Sequence, residues 1–166
     1  MDIQKLTTKF EVRKLNESDI EAVYKVMQEN PLYFQHCPPM ATYQSILDDM
    51  KALPPRTTYD DKYYMGFFEE DCLVAVMDLI LNFPNEETAF VGFFMMSKEF
   101  QGKGLGTEII KECSGRLKEE GYQYIRLGFA KGNPQSEAFW MKNGFERTGI
   151  EDVQERCTVV VLQKEL

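Results

Sequence analysis

Histidine is almost missing from this 166-residue chain: His36 stands alone, and the four cysteines (Cys37, Cys72, Cys113, Cys157) form no CxxC pair. A metal cluster needs closely spaced thiolate and imidazole ligands, so no metal is expected. Long hydrophobic runs are missing too. The most apolar stretch, Leu73–Leu81, is interrupted by Asp78 and is far shorter than the ~20 residues that cross a bilayer. The opening MDIQKLTTKF has no apolar centre of the kind a signal peptide carries. Positive charge is in deficit, with 19 Lys and Arg against 27 Asp and Glu, a net charge of -8. Such a chain repels phosphate backbones, so neither nucleic acid nor a membrane surface is an expected partner. A cytoplasmic protein with reduced, buried thiols is the expectation. Repeats, low-complexity runs and linkers are also lacking, which predicts one domain over residues 1–166. What is abundant excludes disorder: 43% hydrophobic and 13% aromatic residues can build a real core.

The apolar pattern orders the elements. Phe10–Asn16 alternates and reads as a strand. Ser18 and Glu21 have capping-box spacing before Ile20, Val23, Tyr24 and Met27 at helical intervals, and Asn30-Pro31 stops that helix. A shorter helix is predicted from Thr42 to Ala52, ahead of Pro54-Pro55. Three β-rich runs follow, YYMGFFEE, CLVAVMDLILNF and TAFVGFFMM, as an antiparallel meander. Gly92 within the third suggests a bulge or a close backbone approach. Leu105, Ile109, Ile110, Cys113 and Leu117 mark a helix face ending near Gly121. YIRLGF is a strand, Asn133-Pro134 opens another helix, and FERTGI and CTVVVL are the last strands. The sum is a mixed α/β (α+β) fold, a mostly antiparallel twisted sheet of about seven strands with about four helices.

The segment richest in chemistry is FFMMSKEFQGKGLGTEII. A strand leads through Gln101-Gly102-Lys103-Gly104-Leu105-Gly106 into an amphipathic helix. Glycines let a ligand approach the backbone without meeting a Cβ. The first helical amides have no partner inside the helix and point outward as donors, which suits an anion. The segment is not GxxxxGK[ST], and its glycines run GxGxG rather than in the dinucleotide spacing. On the glycines alone, an anion site and a plain glycine-assisted helix start both stay open.

QxxGxG at a strand-to-helix junction resembles the acetyl-CoA loop of the GNAT superfamily of N-acetyltransferases. Asn133 through Phe145, with Ala138, Trp140, Lys142 and Gly144-Phe145, resembles that family's second cofactor motif, and the order of elements is similar over nearly the whole chain. The resemblance implies a GNAT fold and acetyl-CoA (coenzyme A) as co-substrate. It implies that Gln101, Gly102, Lys103, Gly104, Leu105, Gly106 and Thr107 hold the pyrophosphate. Phe94, Met95 and Met96 would pair with the pantetheine arm, Met96 offering a backbone amide to the thioester oxygen. Asn133, Phe139 and Trp140 would line the cofactor, although the aromatic residues also suit an ordinary core.

Two departures stand out. Many members have a tyrosine acid where Trp140 stands, and some have a glutamate base where Gly128 stands. A thiol leaving group of pKa near ~8.5 tolerates the loss of the acid, and proximity can carry much of the rate. An attacking amine still has to lose a proton, and Asp78, alone in an apolar strand, is the candidate base, ahead of Glu86 and Glu87. Tyr33, Phe34 and His36, in a stretch read as a loop between the first two helices, are candidates for the acceptor pocket, with Tyr59, Tyr63 and Tyr64 beside them. The expected reaction is direct acetyl transfer to a primary amine, of a small molecule rather than a peptide or protein, by a monomer or homodimer. The alternative is a catalytically inactive CoA-binding sensor of the same fold.

Overall fold

The alternation after Phe10 forms a short strand, β1 (Glu11–Lys14), in a computed structural model that describes residues 1–166. The cap that follows is not the expected Ser18–Glu21 pair. Asn16 accepts from the Ser18 amide at 2.9 Å, and Asp19 accepts from the Asn16 amide at 2.9 Å, so the capping box lies two residues earlier. It heads a 3-10 turn that runs into α1 (Ile20–Gln28). Arg13 fixes this arrangement by donating to both Asp19 oxygens, at 3.0 and 2.8 Å. The guanidinium holds the Asp19 carboxyl below its ordinary 3.8. Its stabilisation is therefore present above pH 3.8 and is lost as pH falls through the lowered folded value. Asp19→Asn should lower stability at pH 7 by about 1 kcal/mol, a difference that shrinks in acid when urea midpoints are compared across pH.

The largest departure from expectation is α2 (Pro31–His36), where a loop was expected. The Asn30-Pro31 pair ends one helix and starts the next, because proline is preorganised for a first helical position. Thr42 and Ser45 then cap α3 (Tyr43–Lys51) reciprocally, at 3.1 and 2.9 Å. The meander follows as β2 (Lys62–Glu69), β3 (Cys72–Ile80) and β4 (Thr88–Met96). The long helix α4 (Leu105–Glu119) crosses over to β5 (Tyr124–Ala130), which runs parallel to β4. After α5 (Pro134–Lys142) come β6 (Glu146–Val153) and β7 (Thr158–Glu165), with β7 inserted beside β5. The sheet order is β1-β2-β3-β4-β5-β7-β6, with five α-helices.

Each face of the sheet is covered. One core joins it to α4 and α5 through Ile109, Leu117, Trp140 and Phe145. The other joins it to α1 and α3 through Val23, Val26, Ile46 and Val76. No helix is long and apolar enough to cross a membrane, and no group of His, Cys, Asp or Glu could hold a metal ion.

The expectation of four reduced, buried thiols is corrected. Cys37, at the end of α2, is bonded to Cys157, just before β7, with a Cα–Cα distance of 5.3 Å. Their separation of 120 residues gave no sequence sign of the pairing, which the fold creates. Cys72 is exposed, and only Cys113 is a free buried thiol, pushed up to about 12 by burial. Reduction, or Cys37→Ser, should lower stability by about 2–4 kcal/mol, read as a fall in the thermal midpoint.

Candidate active site

The site begins with one extra residue in a strand. Strands β4 and β5 pair only from Thr88↔Tyr124 to Val91↔Leu127. The next residue is Gly92, which has no partner on β3: Leu79 faces Val91 and Asp78 faces Phe93. Such a bulge bends its strand and increases its twist, and here β4 leaves β5. Glycine fits because a Cβ at Gly92 would come within 3.0 Å of Asp78 Oδ2. Past the bulge, β4 still pairs with β3, and Ser97 donates to the Val74 carbonyl at 2.8 Å. Antiparallel ladders alternate, so this register turns the amides and carbonyls of Phe94 and Met96 away from β3, into the gap.

A cavity of about 720 Å3 fills that gap. One side is β4 at Phe94, Met95 and Met96. The lining also includes Asn133, Phe139 and Trp140 of α5 and its N-cap, Gly102, Gly104, Leu105, Gly106 and Thr107 at the start of α4, and Leu32 and Tyr33 of α2. Gly102 and Gly104 have φ of +72° and +78°, the left-handed region that L side chains disfavour. Gly104 occupies the N-cap position of α4 and supplies no side-chain cap, so the first amides of the helix stay open. A Cβ on Gly102 or Gly104 would meet nothing within 4 Å, so the approach to those amides is clear. The charged groups lining the cavity are both cations, Lys98 and Lys142. An uncapped helix start, unhindered backbone and two ammonium groups are an arrangement that could hold an anion.

Asn133 caps α5 by accepting from the Ser136 amide at 3.2 Å, which leaves its Nδ2 without a protein partner at the cavity wall. Phe139 stacks on Phe94 with ring centroids 5.9 Å apart. Trp140 is 6% exposed and packs on Phe94, Phe139 and Phe145, so it is core and cavity wall together. Phe145, 2% exposed, is core alone. Gly128 has a steric reason: a Cβ there would meet Val159 Cγ1 at 2.3 Å, so the neighbouring strand bars any side chain.

Several expected residues lie elsewhere. Lys103 sits over the Phe100 ring, 5.6 Å from its centroid, and does not line the cavity. Phe34 and His36 do not line it either. Phe34 packs edge-on against Tyr33, which meets Phe93 edge-on at 5.6 Å. Burial pushes the Tyr33 phenol up. Tyr59 is exposed, and Tyr63 and Tyr64 lie outside the lining. Asp78 is also outside it. Both of its oxygens accept from buried Lys62 Nζ, at 2.9 and 2.8 Å. Burial pushes its carboxyl up, while the Lys62 charge opposes that shift. A carboxylate held this way, away from the cavity, is a structural ion pair rather than a free base. No Asp, Glu or His lines the gap.

Sequence reasoning missed Asn30, Leu32, Lys98, Phe100, Gln135, Ser136 and Lys142 as lining residues. Gln135, Ser136 and Lys142 lay within the Asn133–Phe145 segment already singled out. Asn30 carried no signal beyond its role as a helix stop.

A sequence profile of the Acetyltransferase (GNAT) family matches residues 21–145. The chain belongs to the GNAT acetyltransferase family, whose members use acetyl-CoA. Solved structures of the same fold include an acetyltransferase from Thermus thermophilus, 19% identical, with a TM-score of 0.76 over 95% of this chain and 97% of that one. The PaiA N-acetyltransferase of Thermoplasma acidophilum, solved in complex with coenzyme A, is 20% identical, with a TM-score of 0.68 over 95% and 99%. Ard1 of Thermoplasma volcanium is 17% identical, with a TM-score of 0.69 over 96% and 99%. No curated protein matches the sequence.

Proposed function

We propose that this chain is an N-acetyltransferase that moves the acetyl group of acetyl-CoA to a primary amine of a small molecule. The observation that carries the reading is the coincidence of three features in one gap. These are the uncapped start of α4, the two left-handed glycines and the strand edge freed where β4 leaves β5. The amides from Gly102 to Thr107 would hold the diphosphate, with Lys98 and Lys142 as countercharges. The outward groups of Phe94 would pair with the pantetheine arm as with an added strand, and Asn133 Nδ2 would donate to one of its carbonyls. When bound, acetyl-CoA would supply a thioester carbonyl for attack by the amine nitrogen, the thiolate being the leaving group. The Met96 amide is the donor for the developing oxyanion.

Tyr33 and Leu32 would form the acceptor wall, with Phe34 bracing Tyr33 and His36 at the far end of α2. The compact aromatic packing of Tyr33 against Phe34 and Phe93 supports a small acceptor over a protein tail. Peptide N-termini belong in the acceptor panel as the competing outcome.

With no carboxylate or imidazole lining the gap, the amine proton goes to solvent. The reactive species is then the free amine in bulk water, with a pKa near ~10.4 for an alkyl amine. Rate (kcat/KM) should rise about tenfold per pH unit from pH 6 to 9. A plateau near neutrality would reveal a side-chain base. Incubation with acetyl-CoA and an amine panel, following free thiol, tests the activity. The second reading, a CoA sensor, draws on Trp140 packed where a phenol acid would be needed. Stabilisation by CoA with no turnover on any amine or peptide would favour it.

A further inference from the structure

Three elements meet at one carbonyl oxygen. Met96, the last residue of β4, turns its C=O into the gap beside its own N–H. Asn30 Nδ2 donates to that oxygen at 3.1 Å, and Gln101 Nε2 donates to it at 3.0 Å. The two side chains also hold each other: Gln101 Nε2 donates to Asn30 Oδ1 at 2.7 Å. Asn30 is anchored in turn by donating to the Val26 carbonyl, one turn back in α1, at 2.8 Å. Both hydrogens of the Asn30 amide and its oxygen are thus committed, which fixes the orientation of the group. The N-cap position of α2 goes without a side-chain cap as a result. The Gln101 side chain points at β4, whereas the loop after it opens toward the proposed anion site.

An uncapped main-chain carbonyl at this place would oppose the proposed chemistry. Its lone pairs would sit beside an oxygen that gains negative charge, and the nearby Met96 amide could be drawn off line by strand motion. Two donors on the carbonyl offset its charge and pin the peptide. We propose that Asn30 and Gln101 are positioning residues that hold the Met96 peptide so that its N–H alone faces the thioester oxygen. This rests on the reading of the gap given above. It also explains why the residue that opens α2 is polar and half-buried: the acceptor wall and the oxyanion donor are set by one side chain.

Asn30→Leu removes both donated hydrogen bonds without adding charge. Gln101→Met removes both donations from the other side, again without charge, and serves as the second variant should Asn30→Leu fail to fold. The test is isotope-edited infrared spectroscopy of acetyl-CoA labelled with carbon-13 at its carbonyl, bound to wild type and to each variant, with CoA affinity measured by calorimetry. In wild type the bound carbonyl stretch should lie below its value for the free thioester. In each folded variant it should move back toward the free value, while the CoA dissociation constant changes less than about threefold, since the diphosphate cradle is untouched. Turnover should fall about 10- to 100-fold in kcat, with little change in the KM for acetyl-CoA. CoA binding with the same carbonyl stretch in wild type and variants would overturn the positioning role and leave the acetyltransferase reading intact. A wild type that fails to bind CoA at all would overturn both.

Discussion

Asp78→Ala should destabilise the protein by about 3–5 kcal/mol, because it strands the Lys62 ammonium in a buried site without its partner. The Lys62 side chain is 3% exposed and that of Asp78 is 12% exposed, so water screens the pair little. Each Asp78 oxygen takes a bond from one nitrogen, and the bulge at Gly92 packs against the same carboxylate. Desolvation costs two buried ions much of what their attraction returns, so removing both is milder than removing one. The double variant Lys62→Met/Asp78→Leu should recover most of the loss. Chemical denaturation of the three proteins measures this. An Asp78→Ala variant of wild-type stability would mean that the pair opens freely to solvent and that Asp78 remains available as a base.

Gly104→Asp should weaken CoA binding by about 100-fold, or roughly 2.7 kcal/mol, with a smaller loss of stability. Two effects separate here. The left-handed φ of +78° strains any residue with a Cβ by about 1–2 kcal/mol, but it does so with or without ligand, and so lowers the melting temperature rather than the affinity. The affinity loss comes from a carboxylate placed at the start of α4, against the charge of a diphosphate. Gly104→Ala carries the strain without the charge and should bind CoA far better. Gly115→Asp makes the same charge change on an exposed turn of α4, where a Cβ meets nothing within 4 Å, and should leave affinity near wild type. Calorimetric titration of the four proteins distinguishes local from overall charge. Equal losses in both aspartate variants would remove the helix start as the anion site.

Much of this architecture could be read from residue order because period and punctuation agree. The meander, the α4 crossover and the Asn133 cap all carry local signals, and Gly92 in a β run announced its bulge. The loop glycines stand out in the sequence because backbone amides need no particular side chain to meet an anion. What stayed hidden depends on tertiary contact. Whether Asp78 is a base or an ion-pair member depends on Lys62, sixteen residues away on the neighbouring strand. The Cys37–Cys157 bond needs the end of α2 to meet the residue before β7. PLYFQH has too few residues to show a periodic pattern, so nothing in the sequence marks α2 as a helix. Asn30 looked like punctuation, whereas its side chain spends its bonding capacity on β4 and Gln101.

A crystal structure grown with saturating CoA tests the central claim most directly. The diphosphate oxygens should lie within hydrogen-bond reach of main-chain nitrogens between Gly102 and Thr107, with the pantetheine arm running along Phe94 and Met96 in the gap beside β5. CoA bound elsewhere on the molecule, or density-free amides at the start of α4 under those conditions, would contradict it.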